Sequence, residues 1–331
     1  MADDSILELE KKLSIEYFTL KNFQFSSGDN LKDLIVEYTT IGTPIKNEKG
    51  EIINAIVFNH GIGENCLRVG AFYEIMGDKR ALDTEKYFII SITALGSIGS
   101  HSPSNSGLKW NFPKYVINDM VNFQKEFLHE KFNIKHVKGL IGYSMGGFEV
   151  LTWAINYPDY MDFVIPLLSS YKFTGRNYAV SKIVNNCIEN DPQYNGGNYK
   201  EPLKSIGLAN QVAYLFGLSL EYYGSLGIDE INQTLNSLMG NFKNYDANDI
   251  ILRNNVIGSY NAEDKLDNII AKTLIIAINQ DLYFPPHIDA IPMSKMIKDS
   301  NLIIYDSSFG HLGIDEIFKI ENELKEFLNQ F

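Results

Sequence analysis

Residues 136–147 read His136-Val137-Lys138-Gly139-Leu140-Ile141-Gly142-Tyr143-Ser144-Met145-Gly146-Gly147. The first six form an apolar run that predicts a buried strand, and residues 148–157 predict a helix. Between them stands Gly142-x-Ser144-x-Gly146. A turn this sharp leaves no room for a Cβ at its flanking positions and holds its central residue strained, with the hydroxyl in open space. The helix that follows aims its first N–H groups at the same point, where negative charge can collect. A bare glycine-rich turn would carry no chemistry. The strand before it and the helix after it favour Ser144 as a nucleophile.

Working outward, residues 17–25 and 32–42 predict two strands joined through Ser26-Ser27-Gly28-Asp29-Asn30, hence an antiparallel hairpin. Residues 52–58 and 87–93 are continuous apolar runs, read as fully buried strands. The first ends in Asn59-His60-Gly61-Ile62-Gly63-Glu64-Asn65. Residues 112–132 place Val116, Ile117, Met120, Phe123, Phe127 and Leu128 at helical spacing. Residues 163–168 add a buried strand. Strand alternating with helix predicts an α/β fold whose mostly parallel central sheet has helices on both faces. From 169 to 264 the alternation stops, and an Asn-, Tyr- and Gly-rich segment shows helical stretches at 180–188, 208–220 and 228–240. We read it as an inserted helical lid. The sheet resumes at 273–279 and 302–305, with a helix near 289–299 and a last one over 314–331. The organisation expected is thus a core of 1–168 and 265–331 interrupted by a lid of 169–264, with a short charged lead-in over 1–14.

The net charge of −12 argues against nucleic acid or an anionic membrane surface as partner. Two cysteines, Cys66 and Cys187, make no disulfide framework, and free thiols suit a reducing, cytoplasmic setting. Met1-Ala2-Asp3-Asp4 opens no signal peptide, and no apolar run has the length of a membrane span. No His/Cys/carboxylate spacing suggests a metal, and no Gly-x-Gly-x-x-Gly follows a strand. Neither a metal nor a dinucleotide cofactor is expected, and the partner is a small molecule.

A serine hydroxyl needs a base, and a histidine base needs a carboxylate. Six histidines can be tried in turn. His136 begins the strand that Ser144 ends, so it lies at the wrong end of the sheet. His129 sits near the end of an exposed helix, and His287 starts a covering helix. His60 and His101 precede Ser144, whereas this architecture orders serine, acid, histidine. His311, in Phe309-Gly310-His311-Leu312 past the last strand, stands where the base belongs. Asp281 is the first carboxylate past residues 273–279 and is the chosen acid, with Asp306 as rival. A tetrahedral intermediate needs two fixed N–H donors. One is expected from Met145, the other from the Gly61-Ile62 region. Cys66 is a weak alternative nucleophile with no acid or base set around it. Arg68 and Arg176 are candidates for an anionic substrate, although solvation is the commoner fate of an arginine.

These residues resemble the homoserine O-acetyltransferase-like group of α/β-hydrolase-fold enzymes over nearly the whole chain. The resemblance rests on Ser144-Met145-Gly146-Gly147 followed by Trp153-Ala154-Ile155-Asn156-Tyr157-Pro158-Asp159, on Leu82-Asp83-Thr84, on Asp191-Pro192 with Gly196-Gly197-Asn198-Tyr199, on Asp281-Leu282-Tyr283-Phe284-Pro285, and on Gly310-His311. It implies Ser144 as nucleophile, Asp281 as acid, His311 as base, and the N–H groups of Ile62 and Met145 as oxyanion donors. It implies acetyl-CoA as co-substrate and is compatible with a lid-mediated homodimer. Ser102-Pro103-Ser104-Asn105 and Asp246-Ala247-Asn248-Asp249 look more like a hydrolase-like branch. Residues 216–223 hold no arginine where the transacetylases carry one, and Leu312 follows His311 where they carry Asp. The expectation is serine-dependent acyl transfer from acetyl-CoA to a small alcohol. The alternatives are a carboxylic-ester hydrolase and a non-catalytic binding module of the same fold.

Overall fold

The computed structural model describes residues 13–331. The charged lead-in expected over 1–14 therefore lies, but for its last two residues, outside the described part. The period of two in the strands sets the architecture. In β3, Ala55 and Val57 point into one apolar layer while Ile56 and Phe58 point into the other. Both faces of the strand are dry, so the sheet must be covered on both sides.

The first strands are β1 (Glu16–Gln24), β2 (Asn30–Ile41), β3 (Ala55–Asn59) and β4 (Phe88–Ile92). Then follow α1 (Ile117–Phe132), β5 (Val137–Tyr143), α2 (Met145–Asn156) and β6 (Met161–Leu167). After the helices α3 (Gly175–Glu189), α4 (Ser205–Gly217), α5 (Leu220–Gly224), α6 (Ile228–Gly240) and α7 (Ala247–Gly258), the chain returns through β7 (Lys272–Ile278), α8 (Ala290–Met296), β8 (Ser300–Tyr305) and α9 (Glu321–Leu328). The eight strands lie in the order β1-β2-β4-β3-β5-β6-β7-β8. The β1–β2 and β2–β4 pairs are antiparallel and the others parallel.

From β3 the chain moves to β4 on one side and later to β5 on the other. The loops leaving β3 and β5 thus diverge at a topological switch point, where α/β sheets bind ligands. One layer is sealed by α1, α2 and α8 through Phe123, Phe127, Trp153 and Met293, the other by α9 and two 3₁₀ segments, Cys66–Ile75 and Gly310–Ile320. Between β6 and β7 there are helices and no named strand, with a small core of their own around Ile188, Leu203, Ile206 and Ile251.

Two expectations need correction. The last helix expected over 314–331 is a 3₁₀ segment, Gly310–Ile320, broken at Glu316 (φ −97°, ψ 17°) before α9. The segment buries Ile314, Ile317 and Ile320, one per three-residue turn, and the Tyr305 hydroxyl of β8 donates to the Gly313 carbonyl at 3.0 Å. Helix α7 was not expected at all. Its signal was present, because Asp246 caps it by accepting from the N–H groups of Asn248 and Asn248's neighbour Asp249.

One acid lies inside the layer under α2. Glu149 is fully buried, takes a hydrogen bond from the Gln124 amide, and Gln124 Oε1 accepts from Trp153 Nε1 at 2.8 Å. Burial pushes its carboxyl up to about 8, against the opposing Gln124 bond. An unfolded glutamate titrates near about 4.3. The folded chain therefore keeps a proton that the unfolded chain releases. The stability this proton contributes is fully present below about pH 4 and is lost as pH rises toward about 8. Glu149→Gln removes that loss. Calorimetry is expected to show a melting temperature several degrees above the parent at about pH 9 and no gain at about pH 4.

Candidate active site

Ser144 leaves β5 with φ 55° and ψ −114°, a left-handed conformation that a side chain rarely adopts, and caps α2. The turn is held on three sides. The Ser144 N–H donates to Leu167 O at 2.9 Å, Ser169 Oγ donates to Ser144 O at 2.8 Å, and Gly147 N–H donates to the same oxygen at 2.9 Å. A Cβ on Gly142 would strike the Gly146 carbonyl, and one on Gly146 would strike the Asn59 carbonyl. These two glycines let α2 start directly against the end of β3.

The fold brings Ser144, His311 and Asp281 together. His311 Nε2 lies 2.9 Å from Ser144 Oγ, and His311 Nδ1 lies 2.8 Å from Asp281 Oδ2. The other Asp281 oxygen accepts from the N–H groups of Tyr283 at 2.7 Å and Phe284 at 2.9 Å. All three residues are buried. Asp306 points elsewhere: it is exposed and takes hydrogen bonds from Asn279 at 2.8 Å and Gln280 at 3.1 Å, which hold its carboxyl below the usual range. Among the other histidines, His129 and His287 are exposed, and His136 pairs with Asp162 at 2.8 Å.

His60 has a role that its sequence position concealed. It is fully buried at the start of the loop after β3. Its Nε2 accepts from the Ala94 N–H at 2.9 Å, so its Nδ1 carries the hydrogen and donates to the Gly61 carbonyl at 2.7 Å. Burial depresses its pKa to about 4, so it stays a neutral brace. The braced loop puts Ile62 on the wall of the Ser144 pocket, as α2 does Met145. Met145 heads α2, where a helix's first N–H groups have no partner inside the helix.

The family model described as the alpha/beta hydrolase fold matches residues 54–316. The chain belongs to the α/β-hydrolase fold family. It is 41% identical over 318 residues to a probable acyltransferase of Methanothermobacter thermautotrophicus, covering 96% of this chain and 98% of that protein. It is 29% identical over 325 residues to a homoserine O-acetyltransferase of Haemophilus influenzae, covering 86% of this chain and 89% of that one. Among solved structures it is similar to an acetylester hydrolase from Corynebacterium glutamicum, with a TM-score of 0.82, 25% identity, and coverage of 99% and 100% of the two chains.

In this α/β-hydrolase, Ser144 and His311 open on a pocket of about 270 Å³ walled by Phe148, Phe173, Val184, Ile257 and Phe284. A larger vestibule of about 980 Å³ shares Gly63, Glu64, Tyr245, Ile250, Arg253 and Leu312 with it. The inserted helices are fastened to the loops that carry the acid and the histidine. Arg176 and Asn177 donate to the carbonyls of Leu282 and Tyr283, and the Ser219 hydroxyl donates to that of Ser308. Tyr283 returns a bond to the Ala213 carbonyl at 2.9 Å.

Arg68 is not a solvated arginine. It lies 2.9 Å from both Glu64 and Asp315. Glu64 in turn accepts from the Gly61 N–H at 2.8 Å, and the guanidinium sits 5.7 Å above the Tyr143 ring. Tyr143 stacks on His311 with ring centres 5.4 Å apart and donates its hydroxyl to the His311 carbonyl at 3.0 Å. One cation therefore joins the loop after β3, the residue before Ser144 and the segment after His311. Nothing in the spacing of Glu64, Arg68 and Asp315 announced this. Burial pushes the Glu64 carboxyl up and Arg68 pulls it down. In Arg68→Gln two facing carboxylates lose their cation, which is expected to destabilise the fold by roughly 1–3 kcal/mol at neutral pH. The deficit should shrink toward about pH 5 as Glu64, now raised further, takes up a proton. Urea unfolding at the two pH values checks it.

Proposed function

We propose that the protein transfers an acyl group through an acyl-enzyme formed on Ser144. The observation that carries this is the continuous chain from Ser144 Oγ through the two ring nitrogens of His311 to Asp281 Oδ2, with contacts of 2.9 and 2.8 Å. Asp281, already loaded by two backbone N–H donors, keeps the hydrogen on Nδ1 and leaves Nε2 free to accept. Ser144 Oγ attacks the carbonyl carbon of an ester or thioester while His311 Nε2 takes its proton. The negative oxygen that forms is received by the N–H groups of Met145 and Ile62, fixed in place before reaction. His311 then returns the proton to the departing alcohol or thiol. A second alcohol, or water, repeats these steps on the acyl-serine and frees the enzyme.

The relatives named an acyltransferase and a homoserine O-acetyltransferase favour an alcohol as acceptor and acetyl-CoA as donor. A specific observation favours the second reading, hydrolysis. The vestibule is lined by Glu64, Glu74, Asp246, Asp249, Asp315 and Glu316 against two arginines, a poor surface for the phosphates of coenzyme A.

Mass spectrometry of the intact protein after exposure to acetyl-CoA, and separately to p-nitrophenyl acetate, tests both. An acetyl adduct that is absent in Ser144→Ala is expected. Clearance of the adduct by homoserine faster than by water identifies the transferase, and clearance by water alone the esterase. Absence of an adduct from either donor would favour a non-catalytic binding role. Asp281→Asn is expected to lower kcat by about 10⁴, because the wrong imidazole tautomer then faces Ser144. Asp306→Asn is expected to keep most of the rate, and the reverse outcome would move the acid to Asp306.

A further inference from the structure

Three of the inserted helices turn one face each to the Ser144 pocket. Helix α3 brings Val180 and Val184, one turn apart, and α7 brings Ile257. Helix α4 brings Ala209, Ala213 and Gly217, spaced four apart along one side. A methyl group is the largest side chain on that row. A Cβ added to Gly217 would meet Leu312 and Tyr283 at 3.7 Å, an ordinary contact, so the packing leaves room there that the sequence does not fill. Phe148, one turn after Ser144 on α2, closes another wall, with Phe173 and Phe284 edge-on to it at ring-centre distances of 6.1 and 5.8 Å. Two amides on the wall are spent elsewhere: Asn177 donates to the Tyr283 carbonyl, and Asn254 donates to Asn185 Oδ1 at 2.7 Å.

The pocket of about 270 Å³ holds roughly nine water-sized groups at about 30 Å³ each. An acetyl group brings three heavy atoms and would leave most of an apolar wall against water, where a longer chain would displace that water. The direction of the chain follows from the traffic at Ser144. The alcohol or thiol must leave and the acceptor must enter while the acyl group stays attached. The vestibule meets the pocket along Gly63, Tyr245 and Leu312. Phe148, Val180, Val184, Ala209, Ala213 and Ile257 line the pocket and not the vestibule, so they wall a lobe off that route.

We propose that this lobe receives the acyl chain, and that the enzyme transfers an apolar acyl group of about five to seven carbons in preference to acetyl. The proposal rests on acyl transfer at Ser144 and names the acyl class. The acyl carbon leaves the alcohol oxygen or thiol sulfur for Ser144 Oγ, His311 protonates the departing group, and water or a second alcohol removes the chain.

Two ester series test it. In one, p-nitrophenyl acetate, butanoate, hexanoate and dodecanoate lengthen the acyl side. In the other, ethyl, butyl and hexyl acetate lengthen the alcohol side. In the parent, kcat/KM is expected to rise about threefold to fourfold per methylene from acetate to hexanoate and to fall at dodecanoate. Ala213→Leu is expected to lower the hexanoate-to-acetate ratio by about tenfold or more, and Val180→Ala to move the optimum to a longer chain. General damage to the fold would lower all rates together and could not shift the optimum in opposite directions. A flat acyl series in the parent, or a ratio unchanged in both variants, would overturn the proposal while leaving acyl transfer standing. A length preference confined to the alcohol series would give the lobe to the alcohol and overturn it too. Turnover of no ester would count against acyl transfer itself, and titration calorimetry of Ser144→Ala with methyl hexanoate and methyl acetate then decides the lobe. Tighter binding of the hexanoate that disappears on adding Ala213→Leu supports it, and equal binding of the two would sink it.

Discussion

Everything in the site depends on one strained residue being held where it is. A non-glycine side chain at φ 55°, ψ −114° costs on the order of 1–3 kcal/mol. The strain persists because the backbone of Ser144 is tied to β6 through Leu167 and Ser169, and because α2 starts in contact with the end of β3. Relaxing the turn would break those bonds and push α2 off the sheet, so the packing of two apolar layers is what offsets the strain. The same close approach sets Met145 at the head of a helix and Ile62 on a loop, both facing the serine pocket.

The second shared device is electrostatic. Three chain segments remote in sequence carry Ser144, the loop of Ile62 and His311. Arg68 ties them together with Glu64, Asp315 and the face of Tyr143. Tyr143 is held from one side by that cation and presents its other contacts to His311. His60 does the equivalent from beneath, as a neutral donor and acceptor. Arg68, Asp315 and His60 hold these segments from outside the Ser144 pocket, while Glu64 and Tyr143 stand on its wall.

Much of this could be read from the chain. The buried strands 52–58, 87–93 and 163–168 are apolar on both faces, a pattern that only a covered sheet satisfies, and the glycines around Ser144 mark a turn with no room for a Cβ. His311 and Asp281 followed from elimination among few candidates placed past the ends of strands. What stayed hidden lacked a local signature. Arg68 pairs with a carboxylate 247 positions later, a contact that only the folded sheet creates. Helix α7 carried its cap in Asp246 but few charges on an open face, since its residues are buried on several sides. The segment after Gly310 buries Ile314, Ile317 and Ile320 at every third residue, a spacing that reads as a helix but does not tell a 3₁₀ turn from an α-helix.

The inserted helices do not rest on the core as a hinged cover. Arg176 and Asn177 grip the loop of Asp281, Ser219 grips the loop of His311, and Asp249 grips residues 102–104. Swinging such a cover aside would pull on the acid and the histidine together. The insertion therefore acts as a keystone: the arch it completes is the Ser144–His311–Asp281 cluster itself. The way from the vestibule to Ser144 runs along Gly63, Tyr245 and Leu312, which both cavities share, so any widening of it would disturb the bonds that hold the acid and the histidine.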